Sequence, residues 1–356
     1  MSSSSSRAVP TQMNKKQATT IKEVAERARV SQMTVSRVLN NQSAVKEATR
    51  KRVQQAMREL QYRPNIMARN LAGRTGLFVG LIYRNPSYGY LSEFLLGALD
   101  TCRRLGHYLI VDEPLVDDNM VDFEQIEKRF LDTSIQALIV VPPLSDNPKL
   151  IDTLERTGIS FICVSPKRDA YDGPSVRMDD RAAARDMTDY LFELGHKRIG
   201  LITGAADHMS SALRLAGYRD SVAAHCREID ESIIVAGDFT YVSGMQAARK
   251  LLALPNPPTA IFASNDDMAA GAIAAVHQAG LRVPEDCSIV GFDDTPNASA
   301  MWPPLTTVRQ PIREMARVAI EMLGRNDQLT IADRSSTVLD YELMIRGSSG
   351  PPKPRD

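Results

Sequence analysis

Apolar positions in the first part of the chain recur at helical spacing. Val24, Ala25 and Ala28 form one stripe, preceded by Thr20-Ile21-Lys22-Glu23. That spacing predicts a capping box, in which Thr20 caps the helix and Glu23 reaches back to its first amide. The stripe ends at Val30, and Ser31 is placed to cap a second helix from Gln32 to Leu39 that turns Val35, Val38 and Leu39 inward. Asn40-Asn41 stops it. A third helix, Glu47 to Gln61, sets Val53, Met57 and Leu60 on one face and Arg50, Lys51, Arg52 and Arg58 on the other. Three short helices with so few large apolar side chains make a marginal core, which is the usual economy of a nucleic-acid module. In the segment Tyr62 to Gly73, Pro64 closes the preceding helix, Asn65 caps a new one and Gly73 ends it after about two turns. Isolated helices below about 12 residues are marginal in water, so this segment is expected to fold only against a partner or DNA.

From Leu77 onward the pattern changes to short apolar runs alternating with helical stretches. The runs are Leu77–Tyr83, Tyr108–Asp112, Ala137–Val141 and Phe161–Val164, then Arg198–Gly204, Ile233–Gly237, Ala260–Asn265 and Ser288–Asp293. Alternating elements of this kind predict an α/β architecture of two doubly wound parallel sheets, eight to ten strands split into two lobes. The expected plan is a disordered tail at 1–18, an all-α helix-turn-helix headpiece at 19–62, a hinge at 63–75 and a two-lobed sensor domain at 76–348. Within the sensor the first lobe takes 76–176 plus 310–339 and the second takes 177–309 plus 340–348; 349–356 is a final tail. Ligands bind parallel sheets at the carboxyl ends of their strands. The residues just after the runs are polar there: Arg84-Asn85, Asn265-Asp266 and Asp293-Asp294.

Composition adds one decisive fact. With 43% hydrophobic and 24% charged residues the chain is ordinary globular protein, and its net charge is zero. Yet fourteen Lys and Arg stand against four Glu between Lys15 and Thr75. A basic front on an acidic body points to a polyanion partner for the front alone. Cys102, Cys163, Cys226 and Cys287 are scattered with no CxxC pair, which fits free thiols in a reduced cytoplasm and no metal site. No apolar run reaches the roughly 18 residues of a membrane helix, and Met1 to Arg7 lacks the apolar stretch of a secretory signal. There is no P-loop, no GxGxxG after a strand, no HExxH and no GxSxG. Asp293-Asp294 are adjacent on one strand, so their side chains diverge. An enzyme is therefore not expected, nor any cofactor. A secreted sugar-binding protein would suit the two-lobed body, but not the basic headpiece.

The ordered motifs resemble the LacI/GalR family of repressors from Thr20 to Ser348. The headpiece carries Ile21-x-x-Val24-Ala25, Val30-Ser31-x-x-Thr34-Val35-Ser36-Arg37-Val38-x-Asn40, and the hinge Tyr62-x-Pro64-Asn65 with Ala68-Arg69-x-Leu71. The sensor adds Leu194-Gly195-His196-x-Arg198-Ile199, Arg214-x-x-Gly217, Asn265-Asp266-x-Met268-Ala269, Val290-Gly291-Phe292-Asp293-Asp294 and Pro304-Leu305-Thr306-Thr307-Val308. The resemblance implies a periplasmic-binding-protein-like sensor and a recognition helix from Gln32 in the DNA major groove. Gln32, Met33 and Arg37 would then read base edges, while Ser31, Thr34, Asn40, Lys46 and Thr49 hold phosphates. Thr20, Ser36, Asn65 and Ala68 belong to the same implied contact set, with Leu71 as a minor-groove wedge. For the effector it implies Arg214, whose fork holds vicinal hydroxyls, with Asp293, Asn265 and the aromatic Phe239. Asn85, Tyr88, Tyr90 and Gln310 come from the other lobe, and Tyr88 and Tyr90 fit a dimer interface equally well. Asp266 is expected to cap the helix that follows it, and His196 to be structural.

Three positions depart from the family pattern. Arg29 stands where the turn usually has Gly, so the turn carries some strain. Gln32-Met33 falls where relatives differ, so the operator sequence cannot be carried over. Cys163 stands near a position where a relative directs a carboxylate at its sugar, so a galactoside is not required. The following Ser165-Pro166-Lys167-Arg168-Asp169 leaves room for a phosphorylated or acidic sugar. The implied partners are a pseudo-palindromic operator, a mono- or disaccharide and a second copy of the chain; the residues past Ser348 hold no leucine heptad for a larger assembly.

Overall fold

The computed structural model describes residues 20–39, 45–60, 76–112, 116–117, 120–121, 135–167, 171–325 and 336–354. It divides into two compact units, Met1–Thr75 and Gly76–Asp356. The expected N-terminal tail, Asn40, and the hinge with Asn65, Ala68 and Leu71 lie outside the described residues.

In the first unit, helices α1 (Ile21–Ala28), α2 (Gln32–Leu39) and α3 (Glu47–Glu59) follow the expected order. Both halves of the capping box are present: the Glu23 amide donates to the Thr20 hydroxyl, and the Thr20 amide donates to the Glu23 carboxylate at 2.6 Å. Val24, Ala25, Ala28, Val35, Val38, Val53 and Ala56 form the core, with Ile21, Val30 and Leu60 packed on it. Arg29 closes α1 in the left-handed region at φ 51° and ψ 54°. This reversal lets the Val30 amide reach the Ala25 carbonyl at 3.0 Å.

In the second unit the first sheet runs, edge to edge, Ser336–Val338, Ser175–Arg177, Ser160–Val164, Ala137–Val140, Phe78–Ile82, Tyr108–Asp112. The second runs Glu342–Met344, Thr306–Arg309, Ser288–Asp293, Ala260–Ala263, Ile199–Thr203, Ile234–Ala236. Pairing is parallel throughout these two sheets except between Thr306–Arg309 and Glu342–Met344. All eight apolar runs become strands. The central ones are covered on both faces, and Ala137–Val140 and Ala260–Ala263 are buried at every position, whereas Tyr108–Asp112 and Ile234–Ala236 are half-exposed edge strands. The strands of these two sheets that the pattern did not announce are short: Ser175–Arg177, Ser336–Val338 and Glu342–Met344 have three residues each and Thr306–Arg309 has four.

The chain passes between lobes after Arg177, after Arg309 and after Val338. Helix Asp180–Glu193 packs on helix Met209–Ala224 in the second lobe. Gly217 makes that approach possible: a Cβ there would fall 2.1 Å from the Arg181 carbonyl oxygen. Ser349 and Gly350, expected as the start of a tail, are instead bonded into the second lobe. The Ser349 hydroxyl meets Tyr190 Oη at 2.9 Å, and the Gly350 carbonyl accepts from Ser288 Oγ at 3.0 Å. Buried His196 donates from Nε2 to the same carbonyl at 3.0 Å, leaving Nδ1 to accept from the Thr259 hydroxyl at 2.9 Å.

Replacing Arg29 with Gly relieves left-handed strain of about 1–2 kcal/mol against a glycine entropy cost of about 0.5–1 kcal/mol. The headpiece transition should therefore move to higher urea by about 0.5–1 kcal/mol, read by far-ultraviolet circular dichroism on the full chain. A lower midpoint would show that the arginine side chain contributes more than its backbone costs.

Candidate functional site

Helix α2 presents one buried and one open face. Val35 and Val38 are buried, whereas Gln32, Met33 and Arg37 are exposed, Met33 at 65%. The helix is fixed at its start by Ser31, whose hydroxyl accepts from the Thr34 amide at 3.2 Å and meets the Thr34 hydroxyl at 2.9 Å. Lys46 is exposed at the start of α3, and Thr49 and Ser36 are half-buried. Thr20 is exposed, with its hydroxyl donating to the Glu23 carboxylate at 3.0 Å.

In the second unit, a narrow cavity of about 30 Å³ lies between the lobes at the carboxyl ends of both sheets. Asn85, Ser87, Tyr90 and Ser165 line it from the first lobe; Asp180, His208, Ser210, Arg214, Phe239 and Asp293 line it from the second, and Gln310 from a crossing strand end. Ser165, Phe239 and Asp293 hold φ of 45°, 69° and 122°. Strain in non-glycine residues of this kind gathers at ligand sites, where packed elements hold it in place.

Arg214 is the centre of the second-lobe wall and is 4% exposed. Its Nε donates to Asp180 at 2.9 Å, its Nη2 lies 2.8 Å from the same carboxylate, and its Nη1 donates to the Ser264 carbonyl. The guanidinium lies over the Phe292 ring, 3.6 Å from its centroid. Asp293 stands 3.9 Å from Nη1 and accepts from Gln310 Nε2 at 2.5 Å. Burial pushes both Asp180 and Asp293 up, and Arg214 opposes it in each case. Beneath them Asp266, 1% exposed, accepts from the Thr295 amide at 2.7 Å and the Thr307 hydroxyl at 2.6 Å.

Of the nine effector residues read from the sequence, Asn85, Tyr90, Arg214, Phe239, Asp293 and Gln310 come together around the cavity. Three do not. Tyr88 is 83% exposed on the outer side of its helix. Cys163 is fully buried among Ile82, Leu138 and Val140, where its thiol is pushed up by burial. Asn265 is the true cap of helix Asp266–Gln278: its Oδ1 accepts from the Met268 amide at 2.9 Å and its Nδ2 donates to the Phe239 carbonyl at 3.0 Å. Asp266, expected as that cap, holds Thr295 and Thr307 instead. Asp180 and His208 were missed. Asp180 opens the helix after the short strand Ser175–Arg177, and His208 lies farther along the loop after Ile199–Thr203 than the strand-end rule was applied.

Two carboxylates cross from lobe to lobe. Asp146 of the first lobe accepts from the Lys167 amide and from the Met209 amide, both at 2.8 Å. It thereby caps helix Met209–Ala224, whose own preceding residue, His208, supplies no side-chain cap. In the opposite direction the Ser87 hydroxyl donates to Asp267 at 3.0 Å. Burial lifts Asp146 to about 6, with Asp207 adding to it and the two amides and Lys167 opposing. Among the described residues no cluster of His, Cys, Asp or Glu is placed to hold a metal ion, and no helix is long and apolar enough to cross a membrane.

Comparison with known proteins locates these sites in context. The family model for bacterial regulatory proteins of the lacI family matches residues 20–65, and that for a periplasmic binding protein-like domain matches residues 188–349. The HTH-type transcriptional repressor CytR of Escherichia coli (strain K12) is 36% identical over 335 residues, 93% of this chain and 96% of that protein. Catabolite control protein A of Priestia megaterium is 32% identical over 333 residues, 93% of this chain and 99% of that protein. Among solved structures, the lac repressor dimer bound to operator and the anti-inducer ONPF superposes with a TM-score of 0.81 at 28% identity, covering 94% of this chain and all of that one. The transcriptional regulator CelR–cellobiose complex gives 0.70 at 29%, covering 93% of this chain and all of that one.

Because burial holds the folded-state Asp146 above the ordinary value near 4, its protonation favours the folded state. Its contribution is fully present below about pH 4 and is lost as pH rises through about 6. The variant Asp146→Asn has no such titration. It should therefore gain stability relative to the parent between pH 4 and 6.5, as measured by urea unfolding at a series of pH values. A difference that stays constant with pH would mean that Asp146 titrates normally.

Proposed function

The chain belongs to the lacI family of bacterial regulatory proteins, and from that premise we propose that it is a DNA-binding transcriptional repressor released from its operator by a small sugar in the interlobe cavity. The observation that carries the reading is the open face of α2. Gln32, Met33 and Arg37 project from a helix capped at its base, on a unit rich in Lys and Arg. A helix of this kind fits the major groove and offers its first exposed side chains to base edges. Arg37 suits a bidentate contact to guanine, Gln32 one to adenine, and Met33 the methyl group of thymine. Ser31, Thr34, Ser36, Lys46, Thr49 and Thr20 hold the backbone, and Asn40, Asn65, Ala68 and Leu71 complete the contact set.

Two copies pair through their sensor units and present two headpieces to a pseudo-palindromic site. The dimeric lac repressor on its operator and cellobiose-bound CelR support both halves of this reading. The cavity supplies the switch. A sugar seated on Arg214, Asp293 and Phe239 changes how the lobes meet, and the coupling energy of such switches is typically about 1–3 kcal/mol. The place of action is the cytoplasm, where the DNA is. The cavity's carboxylates serve recognition, not catalysis, since Arg214 and Gln310 already engage them.

Arg37→Ala should weaken binding to the chain's own upstream DNA by about 1–3 kcal/mol and relax discrimination at one base position. Fluorescence anisotropy across a salt series checks this; an unchanged affinity would remove Arg37 from the reading set. The same titration with sugars added tests release, and tightening in place of release would reverse the logic of the switch. Arg214→Ala leaves Asp180 and Asp293 buried without their cation, so the sensor unit should lose about 3–5 kcal/mol. Chemical denaturation measures that loss, and a neutral result would mean that the two carboxyls carry no charge.

A further inference from the structure

We propose that His208 is the specificity-determining acceptor of the cavity: its Nε2 takes a hydrogen bond from a hydroxyl of an uncharged, polyhydroxylated ligand. The proposal rests on the effector reading of the cleft. His208 lines the cavity and is 5% exposed. Its Nδ1 lies 2.9 Å from an Asp207 carboxylate oxygen. A carboxylate only accepts, so Nδ1 carries the proton and Nε2 of the neutral ring is left as an acceptor. Among the described residues Nε2 is buried with no hydrogen-bond partner. A buried acceptor without a donor is unfavourable, and a ligand hydroxyl removes that penalty on binding.

The imidazole is packed on one side and the backbone that follows it is tied down. Phe239 meets it edge-on at 5.0 Å and 63°. On the chain side, the next amide, Met209, is bonded to Asp146 at 2.8 Å. Burial also keeps the imidazole below its ordinary value, against the pull of Asp207, so it is unprotonated at neutral pH.

The remaining wall sets the ligand's charge. Asp180 and Asp293 offer acceptors, while a guanidinium has five N–H groups and the protein engages Arg214 through Nε, Nη1 and Nη2. An added anion would meet two carboxylates already facing Arg214, with Arg84 acting on His208 less strongly than Arg214 does. A neutral polyol instead supplies a donor to each acceptor, with Phe239 available to the apolar side of its ring. The expectation of a phosphorylated or acidic sugar rested on Lys167 and Arg168. Lys167 does not line the cavity and its amide donates to Asp146, while Arg168 lies outside the described residues.

The test is calorimetric titration of the full-length protein at pH 7.5 with D-ribose, D-glucose and cellobiose, and with ribose 5-phosphate and glucose 6-phosphate. At least one neutral probe should bind, at least tenfold tighter than either phosphate ester. For that probe His208→Leu should lose tenfold or more, while His208→Gln, whose amide oxygen still accepts, should stay within about threefold of the parent. Thermal unfolding of each variant establishes that it is folded. Preference for a phosphate ester, equal binding by His208→Leu, or no binding of any neutral probe would overturn the proposal. Operator titrations with the bound probe keep the two readings apart. A probe that binds through His208 yet leaves operator affinity unchanged supports this hydrogen bond and overturns only the effector reading.

Discussion

The sensor unit is organised around one unfavourable necessity: a guanidinium and two carboxylates taken out of water at the ends of its strands. Buried charges persist only where geometry is close and every polar atom is answered. Arg214 meets this through Asp180, the Ser264 carbonyl and the Phe292 face, and Asp293 through Gln310. The partners come from several elements, so one cluster ties two helices and three strand ends together. Gly217 is the steric condition for it, since a side chain there would push the Met209–Ala224 helix off the Asp180–Glu193 helix. The motif Arg214-x-x-Gly217 thus encodes both an ion pair and the clearance that lets it form.

That cluster also explains where the strain sits. Ser165, Phe239 and Asp293 hold positive φ at the cavity wall, and strained loops survive only on a scaffold that over-determines them. Two parallel sheets buried on both faces are such a scaffold. The interlobe bonds of Asp146 and of Ser87 with Asp267 are of another kind. They join surfaces that must separate for a ligand to enter, so they contribute to closure without fixing it.

Legibility in the sequence followed the physics of burial. Strands covered on both faces announce themselves as unbroken apolar runs, and the edge strands Tyr108–Asp112 and Ile234–Ala236 were apolar enough to be read with them. Three-residue strands such as Ser175–Arg177 are too short to show a period, and Asp180, which follows one, was lost with it. Arg214 and Phe239 were reached through family motifs, Asn85 and Asp293 through the strand-end rule. Tyr88 and Tyr90 are two residues apart on a helix, about 200° around its axis, so only one could face the cavity. Cys163 precedes the strand's final residue, and the cavity takes Ser165, just beyond it. Legible chemistry therefore needed the correct phase as well as the correct element.

The three passages between lobes make synthesis itself part of the structure. The first lobe's sheet ends on Ser336–Val338, which pairs with Ser175–Arg177, so its last strand is made about 160 residues after its neighbour. At about 5–20 residues per second on the ribosome, that edge waits roughly 8–30 s for its partner. An open parallel edge is a template for pairing with other chains. The nascent first lobe therefore lacks both this strand and helix Ile312–Arg325, which packs on helix Tyr88–Leu105, until most of the chain has been made, and its Ser175–Arg177 edge stays open for that interval.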